Sequence, residues 1–598
     1  MEEASTNRVT EGSNPLTWNI DTSNPNDIVS QISKCDLEIF KGWMDHENIF
    51  SDRILQALED TIHKATQVFQ NPTKSCLVMS GCGTSGRLGF YVSRDINKFL
   101  CRQGGLTACC DYLIAGGDIA LLRSTEAQED DPNLGRKVLD QLCAEKEYVL
   151  YIGITCGLSA AYVAGQIDHC LQNLDRFYPV LIGFNPLNQA RDNQVENWNQ
   201  TCASVFNRMQ EAQSQNKAAI LNPVIGPEPI TGSSRMKGGT ATKVLLDVIF
   251  QVSLHTVMGD TNRSSNNNSS SRGMVKTLLN MYYKVLKDIP DRRQDDIATV
   301  ISAAGKSLNS NGHLYYLGKD HLGMLGLIDA SECPPTYGSD FEDVRGFLQG
   351  GFSSWGNKEG DLGNSQNDIS IEAFTKHNLL HLTANDTVIL VGSSSAVKED
   401  DAELFNVWRE VKKTAATTVC LATNQSNSQV IDEGVNLQIN LQIHWAQLKK
   451  YMAEFPASLQ QQIKDNLMQI STKQTLNMIS TGAHILKGKV YHNYMIDLKL
   501  SNNKLFYRGI SIIVKLLGVS EDKARNAILR SMYRMDNLTT DQTEAQISQH
   551  ILNASNIPKV LPVTILLLGI KGCTIERALQ TLTEYPAIRT AFQTLSKH

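Results

Sequence analysis

The chain has 598 residues, of which 41% are hydrophobic and 20% are charged, and its formal net charge at pH 7 is −6. This length predicts two to four domains with substantial cores. The mild acidity argues against nucleic acid or an anionic membrane as the main partner.

Residues 1–45 are predicted to form an N-terminal arm. Residues 1–30 are polar and rich in Asn, Ser and Pro, which favours a poorly ordered segment that partly wraps the rest of the protein. The first residues contain neither an apolar signal core nor an Arg-rich amphipathic presequence, so we do not expect export.

After the arm, short apolar runs alternate with longer helical patterns. The runs CLVMS, EYVLYIGI and YPVLIGF are separated by segments with helical periodicity, such as AAYVAGQIDHCLQNL. This alternation is typical of a parallel sheet that helices cover on both faces.

A second block repeats this layout. HLYYLGKDHLGMLGLIDASE resembles CLVMSGCGTSGRLGFYVSRD, and DTVILVGSSSAVKEDDAELF resembles YVLYIGITCGLSAAYVAGQI, which indicates a diverged duplication. The tract NRSSNNNSSSR at 262–272 is typical of a flexible surface loop. Towards the C-terminus the strand signals fade, and helical patterns predict an all-α cap.

Cysteine and histidine usage narrows the chemistry. Thirteen cysteines, none spaced C-x-x-C, indicate free and mostly buried thiols in a reducing compartment. The histidines are scattered and no Walker motif occurs, so we expect no bound metal, no cofactor and no nucleotide-driven kinase. The apolar run VLPVTILLLGI is too short to span a bilayer and predicts a core helix.

The segment CLVMSGCGTSGR at 76–87 is the strongest functional signal. It predicts a buried strand, a glycine-broken loop and the start of a helix, where unpaired peptide N–H groups attract phosphate. Gly83 allows close approach of the backbone, and Thr84 and Ser85 add hydroxyl donors. The segment alone leaves open a plain strand–turn–helix connection with Ser85 as a helix cap. The matching position of the second block carries Asp320, so we expect one anion site rather than two.

Two further loops could reach the same ligand. GITCGLS at 153–159 offers Thr155, the peptide groups around Gly157, and Ser159. TGSSRMKGGT at 231–240 offers Arg235, whose fork geometry suits phosphate or sugar oxygens. Helix capping and surface charge are the alternatives for both loops.

Two acidic segments supply candidate carboxylates. EAQEDD contains Glu126 and Glu129, and DASECPPTYG contains Glu332 before a rigid Pro-Pro corner. Such a pair could perform acid–base work or accept hydrogen bonds from sugar hydroxyls. EAQEDD could also be a solvated helix start. Lys504 is the best distant cation, with an ordinary surface lysine as the alternative.

These motifs resemble known families. GCGTSGRLGF, ITGSSRMKGGTATK, DASECPPTYG and STGAHILKGKV resemble signatures of bacterial N-acetylmuramic acid 6-phosphate etherases, which have the sugar isomerase (SIS) fold. Along nearly the whole chain, SNPLT, YLIAGGD, GFNP, GSSRMKGG and STGAH resemble the glucokinase regulatory protein family. The resemblance implies an α/β fold with two tandem SIS domains, at 46–285 and 286–488, and a helical cap at 489–598.

The resemblance also implies a function. Proteins of this family bind and inhibit glucokinase, and fructose 6-phosphate and fructose 1-phosphate compete for one site between the SIS domains and the cap. The first effector strengthens inhibition and the second relieves it. We therefore expect a regulator rather than an enzyme, located in the cytoplasm and nucleus. The alternative is a phosphosugar lyase, etherase or isomerase that uses Glu129 and Glu332, which match the etherase acid/base pair.

Motif by motif, the resemblance implies a set of site residues. Cys82 departs from the family by replacing a glycine in the phosphate loop, which would narrow the approach to phosphate. Contact with glucokinase is expected near an apolar stretch in the second domain, comprising Trp445, Ala446, Gln447 and Leu448. The expected sugar-phosphate ligands are Gly83, Thr84, Ser85, Glu129, Thr155, Cys156, Gly157, Ser159, Ser234, Arg235, Glu332 and Lys504.

Overall fold

The computed structural model describes residues 8–103, 107–123, 126–259, 270–355, 367–393, 402–424, 434–498, 500, 503–554 and 557–596. The first half forms a five-stranded parallel sheet with the strand order β2-β1-β3-β4-β5. Its strands are β1 (Ser75–Gly81), β2 (Cys110–Ile114), β3 (Tyr148–Ile154), β4 (Phe177–Ile182) and β5 (Ala219–Leu221). Its helices are α1 (Pro25–Asp36), α2 (Glu38–Lys41), α3 (Asp52–Gln70), α4 (Thr84–Arg102), α5 (Pro132–Leu142), α6 (Ala161–Leu171), α7 (Cys202–Ser214), α8 (Lys237–Gly259) and α9 (Ser271–Asn309).

The second half repeats this topology. Its parallel sheet has the order β7-β6-β8-β9-β10, the same path from strand to strand as in the first sheet, which agrees with the predicted duplication. The strands are β6 (Leu314–Gly318), β7 (Val344–Leu348), β8 (Thr387–Ser393), β9 (Thr417–Asn424) and β10 (Leu437–Gln442). The helices are α10 (Asp320–Ser331), α11 (Cys333–Tyr337), α12 (Ile371–His377), α13 (Ala402–Val411), α14 (Trp445–Met452) and α15 (Ala457–Leu486).

The C-terminal region, called the lid below, is helical apart from a small antiparallel hairpin of β11 (Val490–Tyr491) and β12 (Tyr494–Met495). The apolar run that predicted a core helix forms α20, and its residues from Val560 to Leu567 are buried. The lid helices are α16 (Asn503–Leu517), α17 (Glu521–Tyr533), α18 (Thr540–Glu544), α19 (Ile547–Ala554), α20 (Val560–Gly569), α21 (Ile575–Glu584) and α22 (Ile588–Ser596).

The prediction of a poorly ordered arm is wrong for its described part, which begins at residue 8. Three short 3-10 turns lead into α1, and Ile20, Ile28 and Ile32 are buried in the core. The Asn14 side chain donates to the carbonyl of Pro227 at 3.0 Å. Tertiary contacts thus order a segment whose composition favours disorder, and the arm does run along the body of the protein.

All thirteen cysteines are free thiols, and all but Cys82 and Cys101 are buried, as predicted. Among the described residues, α8 alone is long and apolar enough to cross a membrane. It is a core helix here, because 83% of its most apolar window is buried within the protein. The low-complexity tract at 262–272 lies mostly outside the described residues.

Candidate functional site

The site lies where the order of the first sheet reverses. The chain passes from β1 to β2 on one side and then returns to β3 on the other side of β1. Loops that leave the carboxyl ends of β1 and β3 therefore diverge and open a crevice, which is where parallel α/β sheets bind ligands. The two loops are residues 82–83 and 155–160, both of which the sequence had predicted.

Glycines let α4 start close to the strand that precedes it. Gly83 adopts a positive φ of 49°, which favours glycine. A β-carbon on Gly81 would lie 2.6 Å from that of Ser85, so a side chain there would push the helix away. Thr84 and Ser85 are the first residues of α4 and are buried, at 7% and 8% exposure. The helix start therefore faces the crevice with two hydroxyls and no acidic residue in its first turn.

The loop after β3 completes the anion-binding surface. The Thr155 hydroxyl accepts hydrogen bonds from the backbone N–H groups of Ser159 and Ala160, at 3.1 and 3.2 Å. Capping, the alternative function for this loop, thus occupies the acceptor side of Thr155 and leaves its proton to donate. The Cys156 sulfur lies 3.7 Å from Ser85 Oγ and joins the two loops. Burial raises the pKa of Cys156 to about 11, so the thiol is neutral.

The two predicted carboxylates border the same cavity but differ in their partners. Glu129 is half-buried at the junction of the cavity's two lobes. Glu332 is buried and forms an ion pair with Arg87 of α4, whose Nε also donates to the carbonyl of Leu121 at 3.2 Å. Sequence reasoning missed Arg87 as a site residue, although it lies within the phosphate-loop motif. Glu126 has no described side chain.

Arg235 borders the cavity, but both terminal nitrogens of its guanidinium donate to protein partners. The guanidinium donates to Asp329 at 3.0 Å and to Thr481 at 2.8 Å, and is 2% exposed. Burial opposes its charge, but the oxygens of Tyr337 and Asp329 outweigh burial and raise its pKa. In this structure the guanidinium joins the two halves of the protein, and a contact between Arg235 and the sugar phosphate stays a prediction.

The cleft has two connected lobes of about 130 and 70 Å³. Both lobes are small, which suits a ligand of monosaccharide size. Of the twelve predicted ligands, eleven line this cleft, while the Lys504 side chain lies outside the described residues. The larger lobe is bordered by Gly83, Thr84, Arg87, Glu129, Ser234, Arg235, Glu332 and Arg508. The smaller lobe is bordered by Glu11, Ser85, Glu129, Thr155, Cys156, Gly157, Ser159, Glu228, Ser234 and Arg508.

The lid and the arm close the mouth of the cleft. Arg508 of α16 borders both lobes and forms an ion pair with Glu11 of the arm at 2.5 Å. Sequence reasoning missed both residues. Arg508 lies two residues after the segment SNNKLF at 501–506, which contains the predicted ligand Lys504, and Glu11 lies in the segment TEGSN at 10–14.

Glu228 is a further carboxylate that no local pattern had marked. It accepts hydrogen bonds from the backbone N–H groups of Lys237 and Gly238, both at 2.8 Å, and so caps α8. Burial raises its pKa to about 7. Because it borders the smaller lobe, its charge state affects how well that lobe accepts an anion.

The predicted partner-contact residues lie at the start of α14. Ala446 and Gln447 are exposed, and Trp445 is half-buried. Leu448 is 2% exposed and packs in the core, so it does not offer its side chain to a partner in this structure. Contact with glucokinase through this helix stays a prediction.

This arrangement can bind a phosphorylated polyol. A helix start and several hydroxyls provide donors for the phosphate, and carboxylates provide acceptors for hydroxyl groups. Among the described residues, no group of three or more His, Cys, Asp and Glu side chains is placed as metal ligands would be. The fold defines a protein with two SIS-type domains and a helical lid.

Comparison with known proteins agrees with this class and narrows it. Three family models match the chain: the N-terminal SIS domain of glucokinase regulatory protein at 60–171, the second SIS domain at 292–487, and the C-terminal lid domain at 492–592. Glucokinase regulatory protein of Xenopus laevis is 34% identical over 98% of this chain and 92% of its own length. The protein of that name from Homo sapiens is 35% identical over 97% of this chain and 91% of its own length.

A bacterial relative matches a shorter part. The N-acetylmuramic acid 6-phosphate etherase of Bacillus subtilis is 29% identical over 46% of this chain and 86% of its own length. The full-length similarity decides the assignment: the chain belongs to the glucokinase regulatory protein family. The predicted family and fold are thereby confirmed.

Proposed function

We propose that the chain is a regulatory protein that binds and inhibits glucokinase, with fructose 6-phosphate and fructose 1-phosphate as competing effectors in the cleft. The observation that carries the proposal is the convergence of both anion loops with Glu129, Glu332 and the lid residue Arg508. We also propose that the protein acts in the cytoplasm and nucleus, as expected from its family.

Each element of the cleft has a role in this proposal. The start of α4, with Thr84 and Ser85, holds the phosphate, and the hydroxyl of Thr155 donates from the opposite loop. Glu129 and Glu332 accept hydrogen bonds from the sugar hydroxyls. The two fructose phosphates carry the phosphate at opposite ends of the sugar, so they present different hydroxyls to these carboxylates while occupying the same phosphate position.

The effector regulates docking because the cleft lies between the two sheets and the lid. A ligand shifts the population of the docking-competent state only as far as it binds one state better than another. Contacts with Arg508 and other lid residues provide that difference, since they depend on the position of the lid.

The experiment that tests the proposal is a glucokinase assay with this protein added, with and without each fructose phosphate. We expect inhibition that fructose 6-phosphate strengthens and fructose 1-phosphate relieves. Absence of inhibition at every effector concentration would contradict the proposal. The control is the Ser85→Asp variant, which should respond to neither effector.

A second candidate function is lyase chemistry on a phosphosugar. It is favoured by the placement of Glu129 and Glu332 on the same lobe, where one could act as acid and the other as base. Turnover of N-acetylmuramic acid 6-phosphate by the protein, abolished in Glu129→Gln, would establish this activity. The buried ion pair of Glu332 with Arg87 favours the binding role, because it gives this carboxylate a structural partner within the protein.

A further inference from the structure

The arm and the lid meet at the mouth of the cleft through a two-pronged ion pair. Arg508 donates from Nε to Glu11 Oε2 at 3.0 Å and from Nη2 to Oε1 at 2.5 Å. The two side chains are 15% and 26% exposed. Lys515, about two helical turns further along α16, donates to the backbone carbonyl of Glu11 at 3.1 Å. Two cations of the lid, Arg508 and Lys515, therefore bind Glu11 of the arm.

Arg508 also lies against the ligand-binding loops. It borders both lobes of the cleft, together with residues of both anion loops. A β-carbon on Gly232 would lie 3.2 Å from the Arg508 Cζ and Nε atoms, so the guanidinium packs closely against Gly232. Glu11 borders the smaller lobe beside Ser85 and Thr155. The Glu11 carboxylate is thus next to the position proposed for the phosphate.

Carboxylate and phosphate are interchangeable partners for an arginine fork, because both accept two parallel N–H···O hydrogen bonds. We propose that Glu11 is a built-in competitor of the ligand. Its carboxylate fills the fork of Arg508 in the unliganded protein, and the phosphate of a bound sugar phosphate displaces it. The inference rests on the proposed function, and it adds a consequence for regulation: ligand binding breaks the ion pair between Arg508 of the lid and Glu11 of the arm.

The rest of the arm is held independently of Arg508. The Thr10 backbone N–H donates to Asn185 Oδ1 at 3.0 Å, and Asn185 Nδ2 donates to Thr10 Oγ1 at 2.9 Å and to the Gly157 carbonyl at 3.1 Å. These bonds attach the arm to Asn185, in the segment after β4, and Asn185 in turn bonds to the loop after β3, so the attachment is to the first half rather than to the lid. Displacement of Glu11 can therefore be local and reversible, with the arm remaining on the first half.

A double-mutant cycle tests the exchange. The affinity for fructose 1-phosphate is measured by calorimetry in the full chain and in Glu11→Gln, Arg508→Gln and the double variant. Removing the competitor should tighten binding about tenfold, and removing the arginine should weaken it by at least about tenfold. In the double variant the gain in affinity from Glu11→Gln should vanish, because the guanidinium for which Glu11 and the phosphate compete is absent.

A matched control uses a second arm–lid ion pair that does not border the cleft. Arg589 of α22 donates to Asp21 from Nε at 2.7 Å and from Nη2 at 3.0 Å. Asp21→Asn loosens the arm without touching Arg508, so its affinity should equal that of the unaltered chain.

Three outcomes would overturn the inference: unchanged or weaker binding in Glu11→Gln, equal tightening in Asp21→Asn, or persistence of the Glu11→Gln gain without Arg508. If the unaltered chain binds fructose 1-phosphate but shows any of these, this inference fails and the proposed function stands. If the unaltered chain binds no fructose phosphate, both fail.

Discussion

The two halves of the molecule follow the same path at their first strand–helix junction but differ in charge. At the junction of β1 and α4, Gly83 precedes a first turn that contains hydroxyls and no acidic residue. At the junction of β6 and α10, Asp320 occupies the first turn with a φ of +50°, and its carboxylate lies 2.8 Å from Lys98 of α4. A carboxylate at the helix start already satisfies the positive end of the dipole and repels a second anion. We therefore expect the first copy of the fold, and not the second, to present an anion site.

The second half instead supplies negative charge to the first. Glu332 pairs with Arg87 and Asp329 pairs with Arg235, and all four side chains are nearly or fully buried. The two copies are therefore complementary parts of one cleft rather than two independent sites.

The largest expected effect concerns the bridge between the halves. Arg87→Gln leaves the buried Glu332 without its cation and should lower the free energy of unfolding by about 3–5 kcal/mol. Urea unfolding followed by fluorescence measures this loss. The double variant Arg87→Gln, Glu332→Gln should recover part of it, because no unpaired charge remains. A loss below about 1 kcal/mol in the single variant would show that the pair does not hold the halves together.

A second variant gives the junction of β1 and α4 a carboxylate like that of Asp320 at the junction of β6 and α10. Ser85→Asp places a carboxylate in the first turn of α4 and should weaken fructose 1-phosphate binding at least roughly a hundredfold, because like charges a few ångströms apart repel strongly in a partly buried site. Ser85→Ala, the control, removes one hydroxyl and should cost about tenfold or less. Near-normal binding by Ser85→Asp in a calorimetric titration would mean that the phosphate lies elsewhere.

Glu228 at the start of α8 and Asp320 at the start of α10 are expected to change the free energy of unfolding in opposite directions as the pH rises. Burial raises the pKa of Glu228 to about 7, whereas Lys98 outweighs burial and lowers the pKa of Asp320. When folding raises the pKa of an acid, that group stabilises the folded protein fully at pH values below its pKa in the unfolded state. The contribution is lost as the pH rises through its pKa in the folded state. The free energy of unfolding should therefore fall by roughly 3 kcal/mol between about pH 4.5 and 7 through Glu228.

The variant Glu228→Gln should flatten this decline. Asp36 and Asp247, whose pKa values burial raises to about 6, contribute a decline of the same sign that the variant retains. Asp320 loses its stabilising effect only as pH falls below its ordinary value, outside this window. Identical pH profiles for the variant and the unaltered chain, from unfolding curves at each pH, would show that Glu228 does not titrate as described.

The smallest effect is expected at the second junction. Asp320→Ser removes an ion pair whose side chains are 40% and 58% exposed, so the free energy of unfolding should change by less than about 1 kcal/mol. Affinity for fructose 1-phosphate should stay within about twofold, as calorimetry would show. A large change in affinity would mean that the second junction takes part in ligand binding.

The sequence was sufficient for the sheet and for the loops that follow its strands. Strands of a parallel sheet are buried on both faces, so β1 and β3 appear as continuous apolar runs, and the glycine-rich loop after β1 marks the helix start. Functional groups that lie within one local motif, such as the hydroxyls of Thr84 and Ser85, can therefore be predicted from the sequence alone.

Partners that are distant in the chain could not be inferred in this way. Arg235 had the residue type of a phosphate ligand, but its charge is satisfied by Asp329, 94 residues away. The arm had a disordered composition, yet Asn493 of the lid donates to the carbonyl of Asn14 and to Thr17 Oγ1, which helps to order it. No local pattern encodes such contacts, because they arise only when the two halves and the lid assemble.

The most direct test of a single sugar-phosphate site at the first junction is the stoichiometry of fructose 1-phosphate binding. Calorimetric titration of the full chain should give one site per chain, which disappears in Ser85→Asp and persists in Asp320→Ser. Two sites per chain, or a single site that survives Ser85→Asp and disappears in Asp320→Ser, would contradict the account.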